Sequence, residues 1–345
     1  MRVLVAMSGG VDSSVAAALL VDQGHDVVGA TMKLWGGPSD SGCCSVADVE
    51  DARRVADRLG IDHRVFNLNE EFAAGVLDRY VSEHAVGRTP NPCVDCNTKL
   101  KFGAFAERAF RLGFDAIATG HHARLENRDG SPHLLRGIDV RKDQSYVLST
   151  LTSKQLARVA LPIGSFTKAD VREFARRRGL RTFAKPESQD VCFISSRSDS
   201  AARRHFISAR IPIHRGNVVD AATGEPIGEV VAVELVTLGQ RRGLGIAGGP
   251  PRFAVAVDVE HRRVLVGERG DLLVDDLSLD PRTWIARELE VGSPVLAQSS
   301  AHGHACRARI SESGIRFDEP ARRPAPGQVV AFYVGDEVVG AGIAA

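Results

Sequence analysis

The chain has 345 residues, 43% of them apolar and 25% charged, and a formal net charge of only +1. That composition is ordinary for a globular protein, and the length exceeds one usual core, which predicts two or three domains. No apolar run approaches the ~20 residues needed to span a bilayer, and the apolar part of the opening MRVLVAMSGG is too short for a signal peptide. The expectation is a cytoplasmic protein with no membrane partner. A near-neutral chain must meet any nucleic acid through local basic patches. Arg172, Arg176, Arg177 and Arg178, the Arg203–Arg204 pair and Arg241–Arg242 are candidates, each also readable as a solvated face.

Residues 2–6 (RVLVA) predict a strand, followed by the loop MSGGVDSS and a helix to Gln23. Gly24 stands where a helix end favours a left-handed residue. Val27–Thr31 repeats the strand pattern, and VADVEDARRVADRL at 46–59 has apolar residues at helical spacing and stops before Gly60. Asp62–Leu68 is again strand-like, and FDAIATG at 114–120 closes the series. This alternation predicts an α/β fold built on an open parallel sheet with helices on both faces. After about residue 200 the texture becomes short alternating runs broken by Gly and Pro, which predicts two small β domains. The stretch 312–327, with Pro320, Pro324 and Pro326, reads as a loop between strands.

Ligands of open parallel sheets sit at the carboxyl ends of the strands, where both MSGGVDSS and TGHH fall. In Ser8–Ser14 two glycines let the backbone approach an anion. The amides and hydroxyls of Ser13 and Ser14 then face it from the positive end of the helix. Neither G-x-x-x-x-G-K-[ST] nor G-x-G-x-x-G is present. The cysteines are Cys43, Cys44, Cys93, Cys96, Cys192 and Cys306. A cytosolic chain of this size needs no disulfide staples, so paired thiols suggest metal, redox or nucleophilic chemistry. In NPCVDCNTKLKFG (91–103) the C-x-x-C spacing leaves open a half zinc site, a redox pair and a nucleophile. Cys306, Cys43 and Cys44 also read as small buried apolar residues. His121 and His122 lack a ligand partner at matching spacing and read as packing or nucleotide-adjacent groups.

S-G-G-x-D-S resembles the pyrophosphate-binding loop of the adenylating ATP pyrophosphatase superfamily. Its members use ATP to attach AMP to a carbonyl oxygen before a nucleophile displaces it. GRTPNPCVDCN (87–97), ATGHHAR (118–124), RKDQSYVL (141–148), ESQDVCFI (187–194) and TLGQRRGLGI (237–246) follow in one chain and in order. Together they closely resemble the tRNA-specific 2-thiouridylase family over essentially the whole length. The resemblance implies an adenine nucleotide alpha hydrolase-like domain over 1–200, a small mostly β central domain over 201–270 and a tRNA-binding β-barrel over 271–345. It implies ATP and Mg2+ as cofactors, and 2-thiolation of the wobble uridine in tRNAs for Lys, Glu and Gln. The sulfur would come from a cysteine desulfurase or a relay protein. Ala6, Met7, Ser8, Gly9, Gly10, Val11, Asp12, Ser13, Met32 and Gly120 would line the ATP site, with Asp12 near magnesium. Asn91, Pro92 and Cys93 would face the target base, and Lys142, Asp143 and Gln144 would contact tRNA. Cys96 would be the nucleophile, activated at a helix N-terminus beside Lys99 and Lys101, and Cys192 the persulfide carrier.

The chain departs from the family pattern in several places. Many members carry Asp where this chain has Cys93, and a thiol supplies no fixed negative charge at neutral pH unless activated. The acid–base role is therefore open, with Asp95 the neighbouring carboxylate. Three thiols meeting at one site (Cys93, Cys96 and Cys192) would also suit zinc or an iron–sulfur cluster. GEVVAVELVTLGQR lacks a histidine that relatives carry, and no Arg–Tyr pair stands near Ser299–His304. Two other functions compete: adenylation of a small carboxylate or urea group, and a non-catalytic nucleotide- or tRNA-binding module. The cysteine pair argues against the first, and intact SGGVDS together with both cysteines against the second.

Overall fold

A computed structural model describes residues 1–34, 45–186, 191–194 and 200–345. Cys43, Cys44 and the ESQD of ESQDVCFI lie outside the described residues. Strands β1 (Arg2–Ala6), β2 (Asp26–Lys33), β3 (Asp62–Asn67) and β4 (Ala116–Ala118) form a parallel sheet in the order β3–β2–β1–β4. Side chains alternate across β1. Leu4 and Ala6 enter one core with Val28, Phe66 and Ile117, whereas Val3 and Val5 enter a second with Val15, Val55 and Val171. After the exposed Arg2, VLVA is apolar throughout because both faces of the strand are covered. Helices Val11–Asp22, Val46–Leu59 and Lys168–Arg177 cover the second face. Gly60, at φ 69°, ends the second of these as expected.

The series does not close at residue 120. A hairpin, β5 (Ala123–Arg128) and β6 (Ser131–Arg136), leaves the α/β part and pairs with the C-terminal barrel. The chain then returns as β7 (Val159–Ala160), a fifth strand parallel to β4. Two residues carry no periodicity, which is why the sequence does not announce this strand.

In the central part, β8 (Gly216–Asp220), β9 (Pro226–Val230), β10 (Phe253–Asp258) and β11 (Arg263–Gly267) pair in the order β10–β11–β8–β9. They cover Val218, Val230, Val233, Val264 and Val266. The C-terminal strands are β12 (Leu273–Trp284), β13 (Pro294–Gln298), β14 (Cys306–Ile310), β15 (Gly314–Arg322), β16 (Val329–Val334) and β17 (Glu337–Ala344). They form a closed six-stranded antiparallel barrel, because β12 pairs with both β15 and β17. Along β16, Val330 and Phe332 fill the barrel while Val329, Ala331 and Tyr333 join the first core of the α/β part. The 312–327 stretch is not all loop, since β15 includes Pro320. Pairing of β15 with β12 jumps from Ala321 to Arg316, so Pro320 falls in the interrupted stretch, where its missing N–H breaks no bond to β12. Among the described residues no helix is long and apolar enough to cross a membrane.

Candidate functional site

Ser8–Gly10 joins β1 to the helix Val11–Asp22. Gly9 has φ +70°, and a Cβ there would press on the backbone of Asp48, so the position suits glycine alone. The helix starts at Gly10 without a side-chain cap, leaving its first amides facing the loop at the positive end of the dipole. The serine hydroxyls do not face outward as the sequence suggests. Ser14 Oγ donates to the Gly10 carbonyl at 2.7 Å. Ser13 Oγ donates to the same carbonyl at 3.2 Å and accepts from the Ser8 amide at 3.2 Å. The serines brace the loop, and backbone amides are what it offers an anion.

Among the other expected ATP-site residues, Ala6 lies in the first core and Met7 and Val11 in the second, so these contribute backbone. Met32, near the end of β2, borders the first core. Gly120 follows β4 and lies against the loop: a Cβ there would stand 2.6 Å from both Asp12 C and Ser13 N.

Asp12 meets two side chains, Lys168 and His122. Lys168 Nζ lies 2.7 and 2.6 Å from its two oxygens, and His122 Nε2 lies 3.2 Å from Oδ1. Burial pushes the Asp12 carboxyl up, but the His122 hydrogen bond and the Lys168 charge outweigh it and hold it below the usual range. Lys168 is a site residue that the sequence reading passed over. It opens the helix Lys168–Arg177 behind a Thr167–Asp170 capping box. A lysine in a first turn opposes the helix dipole, and that mismatch in FTKADV was the available signal. His122 exchanges backbone contacts with Gln144, its N–H donating to Gln144 Oε1 at 2.9 Å and its carbonyl accepting from the Gln144 amide at 2.9 Å. His121 is buried against Thr119 Oγ1 at 2.6 Å, and burial holds its imidazole well below the ordinary value.

The C-x-x-C sits on a helix that starts earlier than expected. Asn91 caps it by accepting from the Cys93 amide at 3.1 Å, Pro92 takes the first position, and the helix widens into a π-helical run over Cys96–Phe105. Cys93 therefore occupies the first turn, and Cys96 lies beyond it, at the start of the π-helical run. π-Helical insertions are frequent at functional sites. Lys99 turns to Asp95 at 3.6 Å, and Arg79 reaches the same carboxylate at 2.5 Å. Burial nevertheless raises the Asp95 carboxyl above its ordinary value, with the two cations only partly offsetting it. Asp95 is thus committed to ion pairs beside a cavity of about 170 Å³ between this helix and the barrel. Asn91 lines that cavity together with Val329, Ala341 and Ile343 of the barrel, and the Tyr146 hydroxyl donates to the Val329 carbonyl of β16 at 2.8 Å. The Asn91–Cys93 stretch consequently abuts the barrel wall.

Cys192 lies in the described segment Val191–Ile194 and, like Cys96 and Met32, borders the first core. Among the described residues no group of three or more His, Cys, Asp or Glu side chains is placed to hold a metal. Asp143 turns inward: it accepts from Arg136 at 3.0 Å, the Gly137 amide at 2.9 Å, and the Ser145 amide and hydroxyl at 3.1 and 2.8 Å. Arg136 in turn stacks 3.6 Å from the Tyr333 ring centroid and reaches Gln298 at 2.8 Å. In Lys142–Gln144, then, Asp143 binds the hairpin to the barrel, Gln144 braces His122, and Lys142 is half-buried at the surface.

The fold and loop define a nucleotide-handling α/β domain joined to two β modules. Family models described as a tRNA methyl transferase HUP domain, a tRNA methyl transferase PRC-barrel domain and an aminomethyltransferase beta-barrel domain match residues 1–196, 204–268 and 275–344. The tRNA-specific 2-thiouridylase MnmA of Mycobacteroides abscessus is 45% identical, with 99% of each chain covered. That of Geobacter metallireducens is 44% identical over 99% of this chain and 96% of its own, and that of Mycolicibacterium paratuberculosis 46% identical over 99% and 98%. The chain belongs to the tRNA-specific 2-thiouridylase family of enzymes.

Proposed function

We propose that this enzyme uses ATP to replace the C2 oxygen of the wobble uridine of tRNA with sulfur. The reading rests most on one conjunction. A phosphate-type loop sits at the end of β1, and two thiols from distant segments, Cys96 and Cys192, border the core beneath the same sheet. The loop amides and Lys168 bind the phosphates, and Gly120 lets the strand end approach the nucleotide. One hard carboxylate facing the loop, Asp12, fits a magnesium ion whose other ligands are phosphate and water. When bound, that ion neutralises charge on the departing pyrophosphate. The C2 oxygen attacks the α-phosphorus, pyrophosphate leaves, and the adenylated oxygen becomes a good leaving group. Cys192 carries a persulfide, its outer sulfur is transferred to C2, and AMP departs. The Cys96 thiolate then attacks the Cys192 sulfur and breaks its bond to the transferred sulfur, which stays on C2, and the Cys96–Cys192 disulfide so formed is reduced by an external thiol.

Asn91–Cys93 face the base and Lys142 the tRNA backbone. The units 1–200, 201–270 and 271–345 serve as the adenylation domain, the connecting domain and the tRNA-binding barrel. The substrates are tRNAs for Lys, Glu and Gln in the cytoplasm, with a desulfurase or relay protein as sulfur donor. The test is incubation with ATP, magnesium, a persulfide donor and unmodified tRNAs, followed by nucleoside mass spectrometry. 2-Thiouridine that vanishes in Cys96→Ser and in Cys192→Ser supports the reading. A methylated uridine, or AMP released only with a small carboxylate, would replace it.

A further inference from the structure

We propose that Phe193 is the positioning residue for Cys192: its ring, seated in an aromatic slot, holds a strained turn that aims the thiol. The inference rests on the sulfur-transfer reading above. Val191, immediately before Cys192, has φ +53°. A β-branched residue in the left-handed region is a genuine outlier, and such strain persists where surrounding packing enforces it. Within the turn, the Ile194 amide donates to the Val191 carbonyl at 3.1 Å.

Phe193 anchors the turn. It is 8% exposed, and its ring centroid lies 5.1 Å from Phe206, 5.3 Å from Tyr80 and 5.9 Å from Phe72. These rings come from two helical stretches: Phe206 from Ser200–Ser208, and Phe72 and Tyr80 from one continuous run in which Asn69–Phe72 passes through the π-helical turn Ala73–Leu77 into Asp78–Ala85. Tyr80 is itself held edge-on by His84 at 4.6 Å. The T-shaped and tilted geometries are those aromatic rings prefer, so the slot fixes the ring's direction as well as its depth. With Phe193 driven inward, Cys192 stays half-buried at the rim of the core. A persulfide carrier needs both properties. It must be reachable by an outside donor, yet hold its sulfur within reacting distance of C2, where a ~1 Å error costs on the order of a hundredfold. None of these rings belongs to the phosphate loop, so the anchor acts on sulfur delivery and leaves adenylation alone.

The experiment compares wild type with Phe193→Ala in three readouts. These are tRNA-dependent pyrophosphate release, single-turnover 2-thiouridine formation, and the alkylation rate of Cys192 relative to Cys306 by peptide mass spectrometry. Pyrophosphate release is expected to persist while thiolation falls by at least about tenfold and Cys192 alkylates severalfold faster. Adding Val191→Gly, which removes the left-handed strain, should restore part of the rate; no recovery overturns the strain half of the proposal. Unchanged thiolation, unchanged alkylation, or a parallel loss of pyrophosphate release overturns the positioning role. If Phe193→Ala does not fold, Phe193→Leu and Tyr80→Leu read the same slot by the same criteria. If Cys192→Ser still thiolates tRNA, the functional reading fails, and the alkylation arm still judges the anchor by itself.

Discussion

Gly120→Ala tests how closely the strand end approaches the phosphate loop. The added Cβ would meet Asp12 C and Ser13 N at 2.6 Å and Asp12 Cβ at 3.0 Å. Ordinary contact begins at 3.4 Å, so the gap must open by about 0.8 Å (3.4 minus 2.6). Neither side yields easily. Asp12 belongs to the first turn of a helix and is tied to Lys168, and Gly120 follows a strand whose Ala118 is fully buried. Overpacking of this kind costs about 1–3 kcal/mol, or roughly five- to 150-fold in an equilibrium constant. Displacement of the loop appears as weaker ATP binding, and displacement of the strand as a lower Tm. Titration calorimetry with ATP and thermal unfolding divide the cost between them, with tRNA affinity unchanged. Gly75→Ala is the control, because its Cβ meets only Lys99 side-chain atoms at 3.5 and 3.7 Å. A Gly120→Ala enzyme with wild-type ATP affinity and wild-type Tm would refute the close-approach argument.

Lys168→Ala strips Asp12 of its cation and should lower kcat/KM for ATP by at least about tenfold. The acid-dependent loss of stability should also shrink, since the depressed Asp12 stabilises the fold above the ordinary carboxylate range, loses that effect as pH falls through its folded value, and is less depressed without Lys168; an undiminished loss in urea denaturation contradicts this. Asp143→Ala leaves the buried Arg136 contact and two amides unmatched and should cost about 3–5 kcal/mol in urea denaturation, with tRNA affinity retained where the protein is folded. Lys142→Ala should do the reverse, sparing stability while weakening tRNA binding and reducing its salt slope by about one. Burial holds His84 at about 4 against an ordinary 6.5. Because the unfolded chain takes the proton first, this stability is full above pH 6.5, declines toward pH 4 and amounts to roughly 3 kcal/mol; His84→Gln should flatten that part of the pH–stability curve.

The sequence was most legible where one residue pattern served one purpose. RVLVA announced a strand of a covered sheet, Gly60 a helix end, and SGGVDSS a turn from a strand end into a helix. It was least legible where a position depends on a distant element. Lys168 becomes a site residue only because its helix packs beside the loop, and no local spacing encodes that. Asp143 reads as a surface contact in RKDQSYVL, yet Arg136 and Ser145 turn it inward. Cys96 was placed one turn too close to the helix start because the Asn91–Pro92 cap was not given its weight. The hydroxyls of Ser13 and Ser14 were read as ligands for the same reason that they fit there: short polar side chains satisfy backbone groups of a tight loop as readily as they satisfy an anion.

One consequence lies in the path of the chain between β4 and β7. The β5–β6 hairpin leaves the α/β part and adds to the barrel sheet through β17, with Leu134 and Leu135 paired to Val338 and Glu337. The barrel is therefore held by main-chain bonds and not by a linker alone. The return segment is anchored at both ends. Asp143 fixes Arg136 on Tyr333 of the barrel, and the next residue, Gln144, holds both backbone groups of His122, whose ring meets Asp12. Barrel wall and phosphate loop are thus linked by a short chain of contacts, a cation–π stack, hydrogen bonds and one peptide link, in which Tyr333, Asp143 and His122 are buried and Gln144 is exposed. Buried polar groups such as Asp143 and His122 have few alternative partners, so the ends of the segment resist displacement. On the proposed function, the tRNA-gripping barrel and the ATP-gripping loop share one frame, and the wobble base is presented at a fixed distance from the phosphorus it must attack.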